Sequence, residues 1–393
     1  MNNLLSDIGH YLRETIYRIF HWESWHWFIK YIPILPVWLW FCLRARSFWF
    51  FSASNPTLTF GGFDGETKRE MYEHLPTHCF PKTYSIRPGT PDWVLKRLVA
   101  LEFSFPLAVK PDVGRMGLMF RRINSYRELC EYNKVMTESY LLQEFVEYPL
   151  EVSVFYYRFP GQLTGTITGF LKKEYLSVIG DGRSTLRELI RQYRRVRFRL
   201  DEMKAKHGER LNNVIPSGEK YILSYALNLS RGGKLVSLEH AKDEKLLALF
   251  DELSHFTGFY FGRYDIKCSS VDELKNARNF SIIEFNGSGA EPHHVYGNGN
   301  SLLKALKILV SHWHVLYLIS RANNRNGIRY WSFKNGFAHF KESVLYFKKL
   351  KALDAGTSDV APKKQGKQER TPYLKPGLNL SAAMLSSYVN SKN

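Results

Sequence analysis

Apolar positions fall into three regimes along the chain. From Trp22 to Phe51 they crowd into an aromatic block, WESWHWFIKYIPILPVWLWFCLRARSFWFF, which holds six of the nine tryptophans. Its longest uninterrupted apolar run, Tyr31 to Leu43, falls short of the roughly 20 residues a spanning helix needs, and Pro33 and Pro36 are expected to break it. Between residues 53 and 329, short runs of period-2 alternation take turns with 3.6-residue periodicity, which predicts an α+β body of alternating strands and helices. The end, GTSDVAPKKQGKQERTPYLKPG, is poor in large apolar residues and predicts a disordered basic tail. Three regions follow: 1–52 an aromatic segment, 53–329 the body, 330–393 a basic helix and tail.

Within the body, SASNPTLTFGGFDGETKREMYEHLP reads as a loop followed by a helix capped near Asp64. The stretch LAVKPDVGRMGLMFRRI predicts a strand, a flexible loop with Gly114 and Gly117, and a second strand. SYLLQEFVEYPLEVSVFYY ends one strand at Glu144 and begins another at Glu151. FGRYDIKC (261–268) and SIIEFN (281–286) predict two strands joined by the polar SSVDELKNARNF. Alternation then puts Arg263, Asp265 and Lys267 on one face, and Glu284 and Asn286 on one face of the partner.

At 393 residues and 44% apolar content the chain is globular and large enough for more than one domain. Its four cysteines are far apart with no ligand spacing, which argues against a disulfide framework or a zinc site and for a reducing compartment. The net charge of +18 is local: residues 183–210 carry +6 and residues 331–393 carry +7. Such stretches suit phosphate-rich partners such as anionic lipid, or else form solvated helix faces. The start lacks the basic region of a secretory signal. Tryptophans flanked by Lys30, Arg44 and Arg46 predict a segment lying at an anionic membrane surface, the alternative being an aromatic helix packed on the body.

The chemistry turns on Glu284, a carboxylate inside an apolar run. An unpaired buried carboxylate is costly, so a cation is expected beside it. If the two strands pair, Asp265, Glu284 and Asn286 bring together hard oxygen donors that suit Mg²⁺; a hairpin with a solvated polar face is the alternative. Lys110, at the end of an apolar strand before the glycines, could neutralise a nucleotide phosphate cradled by loop N–H groups. This is not P-loop spacing, because no Lys-Ser/Thr follows the glycines. The helical run Ser311-His-Trp-His places its histidines on different faces and is given no metal role.

In order, GETK, VKPDVGRMG, LLQEFVEYPLEVSV, VIGDGRSTLRELI, VIPSGEKYILSYALNLSRGG, GRYDIK and IIEFNGSGAEP resemble the ATP-grasp superfamily of carboxylate–amine ligases, from about Asn55 to Asn326. The resemblance implies an ATP-grasp fold, two α/β subdomains clasping ATP with two Mg²⁺ or Mn²⁺ ions. It assigns Lys68 and Lys110 to the nucleotide, with Gly114 to Gly117 closing over its phosphates. Glu144 and Val146 fall at adenine, Glu151 at ribose, and Lys172 or Lys173 near the phosphates. Asp265, Glu284 and Asn286 match the metal set, and Arg263 the position that meets the transferred phosphate. N–H groups of the Gly287–Ala290 turn, Gly289 and Ala290 among them, would stabilise an oxyanion. Asn228, Ser230, His293 and His294 are candidates for substrate contact.

The implied activity is amide-bond formation between a small-molecule or lipid-linked carboxylate and an amine, through an acyl phosphate, at the inner face of the cytoplasmic membrane. Two other readings are D-alanine–D-alanine ligase proper and a non-catalytic nucleotide- or RNA-binding scaffold. The intact Asp/Glu/Asn set weighs against the scaffold and against nucleic acid. The chain departs from the family in having only about 60 residues before Lys68, so the usual N-terminal substrate domain is reduced or missing.

Overall fold

The computed structural model describes residues 22, 25, 27–115, 117–192, 203, 207–224, 233–296 and 299–357. Asn228, Ser230, most of the first basic stretch and the tail beyond residue 357 lie outside the described residues.

The aromatic segment forms α1 (Trp27–Tyr31), a single 3₁₀ turn (Ile32–Ile34) and α2 (Leu35–Ala45). The two prolines do not stop this path as the sequence reading expected. Each sits in the first turn of its segment, where the missing N–H has no partner to lose. The continuous stretch Phe28–Ala45 is consequently long and apolar enough, by composition, to cross a membrane, as is Leu302–Arg325. The segment has two sides. One packs Phe41, Phe50 and Phe51 against Leu316, Tyr317 and Ile319, and Asn323 Nδ2 donates to the carbonyls of Ala53 (2.9 Å) and Ser54 (3.1 Å). The other leaves Ile32, Leu39, Trp40 and Leu43 exposed, Leu43 by 71%.

Next come α3 (Lys68–Glu73), β1 (Thr83–Ile86), α4 (Asp92–Glu102), β2 (Leu107–Pro111), β3 (Arg121–Ile123), α5 (Tyr126–Val135) and β4 (Tyr140–Glu144). Their strands form an antiparallel sheet of order β1-β4-β2-β3. α4 presents Val94, Leu95, Leu98 and Val99 to it, the 3–4 spacing of a one-faced helix. Ser125 caps α5 by accepting from Glu128 N.

The chain then crosses to a second antiparallel sheet, order β11-β10-β5-β6-β9. It is made of β5 (Leu150–Tyr157), β6 (Thr166–Glu174), β9 (Lys234–Ser237), β10 (Phe261–Cys268) and β11 (Phe280–Asn286). An excursion between β6 and β9 holds β7 (Leu176–Ile179), α6 (Leu186–Gln192) and β8 (Lys220–Ser224), with its own small core. Helix α7 (Glu244–Thr257) covers the large sheet, capped by Asp243 and ended by Gly258 at φ +69°. The short α8 (Val271–Lys275) lies between β10 and β11.

Two long helices close the fold, α9 (Leu302–Arg325) and α10 (Phe333–Thr357). α10 buries Phe347 and Leu350 in the core of the four-stranded sheet, so this helix is joined to the body. The mixed architecture agrees with the α+β expectation.

Candidate active site

β10 and β11 pair antiparallel with Asp265 opposite Glu284 and Arg263 opposite Asn286. Directly opposed residues share a face of the sheet, so the two carboxylates meet as the alternation predicted. β5 flanks β10 on the other side and sets Ser153 beside Asp265 and Glu151 beside Lys267. β6 adds Lys173 opposite Glu151.

Four cations converge on these acids. Lys173 Nζ lies 3.0 Å from Asp265 Oδ1 and 3.1 Å from Glu151 Oε1. Arg263 Nη2 lies 3.3 Å from Asp265 Oδ2, while its Nη1 donates to Glu291 O and contacts His293 Nε2, both at 3.0 Å. Lys68, the first residue of α3, sits 3.2 Å from Glu284 Oε1 and donates to Gly114 O at 2.8 Å. Lys110 in β2 donates to Tyr72 Oη (2.9 Å) and Ile283 O (3.1 Å). Lys68 from α3 and Lys110 from β2 of the four-stranded sheet thus both reach β11.

Electrostatics follow from burial and pairing. Burial opposes ionisation of Asp265, but Arg263, Lys173 and His293 outweigh it and hold the carboxyl well below its usual range. Lys68 and Lys173 are held charged against burial, by Glu284 and by Asp265 with Glu151 respectively. Lys110 lacks such a partner; burial, with Lys68 adding to it, brings it down to about 7. An anion arriving between Lys68 and Lys110 would therefore also recover a proton on Lys110.

A residue that the sequence reading missed is Glu66. Its Oε2 is buried without a hydrogen-bond partner. Burial pushes its carboxyl up to about 7, Asp64 and Glu284 adding to the shift and Lys68 opposing it. The cost of ionising it in the fold is absent below pH 4.5 and complete above pH 7. Glu66→Gln should therefore raise stability above pH 7 by up to about 3 kcal/mol, at 1.36 kcal/mol per unit, and leave it nearly unchanged below pH 4.5. Thermal melting of both proteins across that range checks this; a constant difference would contradict it.

The structure separates several candidates. Lys173 joins the cluster, whereas Lys172, on the opposite face of β6, pairs with Glu174 at 3.0 Å. Helix α3 is capped by Thr67, not Asp64, because Thr67 Oγ1 accepts from Glu70 N. Three of the four N–H groups of the Gly287–Ala290 turn, those of Gly289 and Ala290 among them, are already bonded within the protein and are not the free oxyanion donors expected. Ser288 N and Gly289 N donate to Gly61 O and Gly62 O at 3.0 and 3.1 Å, and Ala290 N donates to Gly287 O at 2.9 Å. The two glycine segments touch so closely that a Cβ on Gly287 would fall 2.6 Å from Gly61 O.

His293 stays beside Arg263, but His294 turns away. Its ring packs over Gly169, where a Cβ would come within 2.3 Å, and lies 5.1 Å from the His312 ring. Glu144, Val146 and Glu151 lie along the crossing from β4 to β5, and Val146 O accepts from Lys267 Nζ at 3.0 Å. Glu144 is exposed at the end of β4. Gly114 and Gly117 lie in the loop between β2 and β3, Gly117 at φ +69°.

The donor set that could hold a divalent cation is Asp265, Glu284 and Asn286. Among the described residues no cluster of three or more His, Cys, Asp or Glu forms a metal site, so the set rests on two carboxylates and one amide. It fits a hard ion in its chemistry: two carboxylates and an amide offer oxygen donors, and both acids are paired here with ammonium or guanidinium groups.

No family profile matches the chain. It is 24% identical over 218 residues to the glutathione biosynthesis bifunctional protein GshAB of Streptococcus mutans, 49% of this chain and 28% of that protein. The chain thus spans little more than a quarter of that relative. Among solved structures, a bifunctional glutathione synthetase from Pasteurella multocida aligns at 14% identity and a TM-score of 0.39, covering 65% of this chain and 38% of that one. The VanG D-Ala:D-Ser ligase from Enterococcus faecalis aligns at 13% identity and 0.37, covering 64% and 61%. The chain is similar to ATP-grasp carboxylate–amine ligases, the class its ordered motifs resemble.

Proposed function

We propose that the protein is an ATP-dependent carboxylate–amine ligase acting at a membrane surface. The observation that carries this is the facing pair Asp265 and Glu284, ringed by Lys68, Lys173 and Arg263, with Lys68 from α3 and Lys110 from β2 of the first sheet reaching β11. A polyanion with a divalent cation matches that arrangement of charges. A neutral substrate does not explain it.

In this reading Lys68 and Lys110 bind the phosphates, the Gly114–Gly117 loop closes over them, and the β4–β5 crossing holds the base and ribose. Asp265, Glu284 and Asn286 would hold Mg²⁺, which when bound offsets the charge on the phosphoryl group. The substrate carboxylate attacks the γ-phosphorus and ADP departs, giving an acyl phosphate. The amine attacks the acyl carbon, phosphate leaves, and the amine proton passes to solvent. Arg263, fixed by Asp265 and Glu291 O, faces the transferred group and stabilises its developing charge. With the Ser288, Gly289 and Ala290 N–H groups already bonded, this cationic side chain carries that role.

Membrane contact is supported by the exposed apolar side of α1 and α2 and by Arg44, which lies over the Trp40 ring at 5.7 Å. The test of the ligase chemistry is phosphate release from Mg·ATP in the presence of paired candidate carboxylates and amines. Release is expected only when both are present. Release that ignores both would contradict ligation.

A further inference from the structure

Helix α10 is apolar on two sides. Gly336, Ser343, Phe347 and Leu350 face the body, and Gly336 lies so close under Trp49 that a Cβ there would come within 2.5 Å of the indole. Yet Phe333, Phe337, Phe340 and Val344 remain 64%, 56%, 40% and 47% exposed. Their spacing of i, i+4, i+7 and i+11 gathers them into one stripe along the helix. A single exposed phenylalanine needs no explanation; four in register form a surface that water disfavours.

Two further observations say what covers it. Lys334, Lys341 and Lys348, spaced by seven, form an exposed row beside the stripe, whereas Glu342 and Asp354 lie off it and Asp354 is bonded to Arg121 at 2.9 Å. The stripe is also continuous with the aromatic segment. Phe48, 45% exposed, contacts Phe333 edge-on at 6.1 Å, Phe333 stacks on Phe337 at 6.1 Å, and Trp49 Nε1 donates to Phe333 O at 3.2 Å. Aromatic and aliphatic side chains beside a cationic row suit an interfacial helix, its apolar stripe among acyl chains and its lysines at lipid phosphates.

We propose that the exposed face of α10 docks on an anionic phospholipid surface, forming with α2 and Phe48 one continuous lipid-binding face. The proposal shares the membrane partner of the reading above and is independent of the ligase chemistry. It has a consequence for the site. Further along α10, Tyr346 Oη donates to Val113 O at 2.9 Å, Asp354 Oδ1 accepts from Met119 N at 3.0 Å, and the Arg115 guanidinium lies 4.0 Å from the Phe347 ring centroid. The helix that meets lipid is thus the one that holds both ends of the phosphate loop.

The test is co-flotation of the full chain with vesicles of phosphatidylglycerol and phosphatidylcholine, and of phosphatidylcholine alone. Three variants are compared: Phe333→Ser/Phe337→Ser, Lys334→Gln/Lys341→Gln/Lys348→Gln, and Leu39→Ser/Leu43→Ser on the N-terminal face. The parent should float with anionic vesicles. The lysine variant should lose roughly fivefold per lysine, on the order of 100-fold in all, and the phenylalanine variant should float poorly at an unchanged melting midpoint. If the α10 variants float like the parent while the Leu39/Leu43 variant does not, the proposal falls and membrane contact through α2 stands. No flotation of the parent overturns both. A parent dimer that the phenylalanine variant converts to monomer, with flotation unchanged, would assign the stripe to a second copy and overturn the lipid proposal.

Discussion

Asn55→Ala is expected to destabilise the fold by about 4 kcal/mol or more. This fully buried side chain makes four hydrogen bonds. Its Nδ2 donates to Gly61 O (3.0 Å) and Phe261 O (2.9 Å), and its Oδ1 accepts from Tyr260 N (2.8 Å) and Phe261 N (3.0 Å). Removing the amide strands Phe261 O, Tyr260 N and Phe261 N away from water, each costing roughly 1–3 kcal/mol, while Gly61 O keeps its bond from Ser288 N. The damage extends to the site, because Gly61 and Gly62 hold the Gly287–Ala290 turn that follows the metal-ligand candidates. Urea unfolding gives the number; a loss under about 1 kcal/mol would mean that these bonds are replaced without strain.

The largest expected effect on activity is that of Asp265→Asn with Glu284→Gln. The pair removes both carboxylates that would fix a divalent ion, while Lys68 and Arg263 lose their ionic partners, Lys173 keeps only Glu151, and all three stay cationic. Loss of several kcal/mol of charge stabilisation predicts turnover lower by roughly 10³-fold, each 1.36 kcal/mol being a factor of ten. Affinity for ATP without metal should be retained or rise, since two negative charges have left a site that binds a polyanion. That split distinguishes a lost metal site from a collapsed cleft. Equal losses of turnover and metal-free binding would indicate collapse.

Much of this was legible in the chain because the site is built on strands. Period-2 alternation alone put Arg263 and Asp265 on one face of their strand and Glu284 and Asn286 on one face of the partner, and the observed pairing brings these onto a common face of the sheet. The glycine hairpin after Lys110 was likewise readable, its strands being short apolar runs around a flexible loop. What failed depends on contacts distant in sequence. Adjacent Lys172 and Lys173 are distinguished only by which face of the sheet carries Glu151 and Asp265. The N–H groups of the Gly287–Ala290 turn looked available until Gly61 and Gly62 arrived to accept two of them.

Asn55 read as an ordinary loop residue because Phe261, a principal partner, is 206 positions away. Glu66 stood two residues before a lysine already assigned to the nucleotide, and nothing local marked its carboxylate as buried. The helix expected after residue 330 is there, but its packing on the body was obscured because α10 is apolar on two sides, which blurs the one-faced periodicity that identifies a packed helix.

The central claim is that the space between the two antiparallel sheets binds ATP with a divalent ion held by Asp265 and Glu284. Calorimetric titration of the full chain with ATP, with and without Mg²⁺, tests it most directly when repeated on the Asp265→Asn/Glu284→Gln variant. The account predicts binding that Mg²⁺ strengthens in the parent, and no effect of Mg²⁺ in the variant. Absence of ATP binding by the parent in Mg²⁺, or an equal Mg²⁺ effect in both proteins, would contradict it.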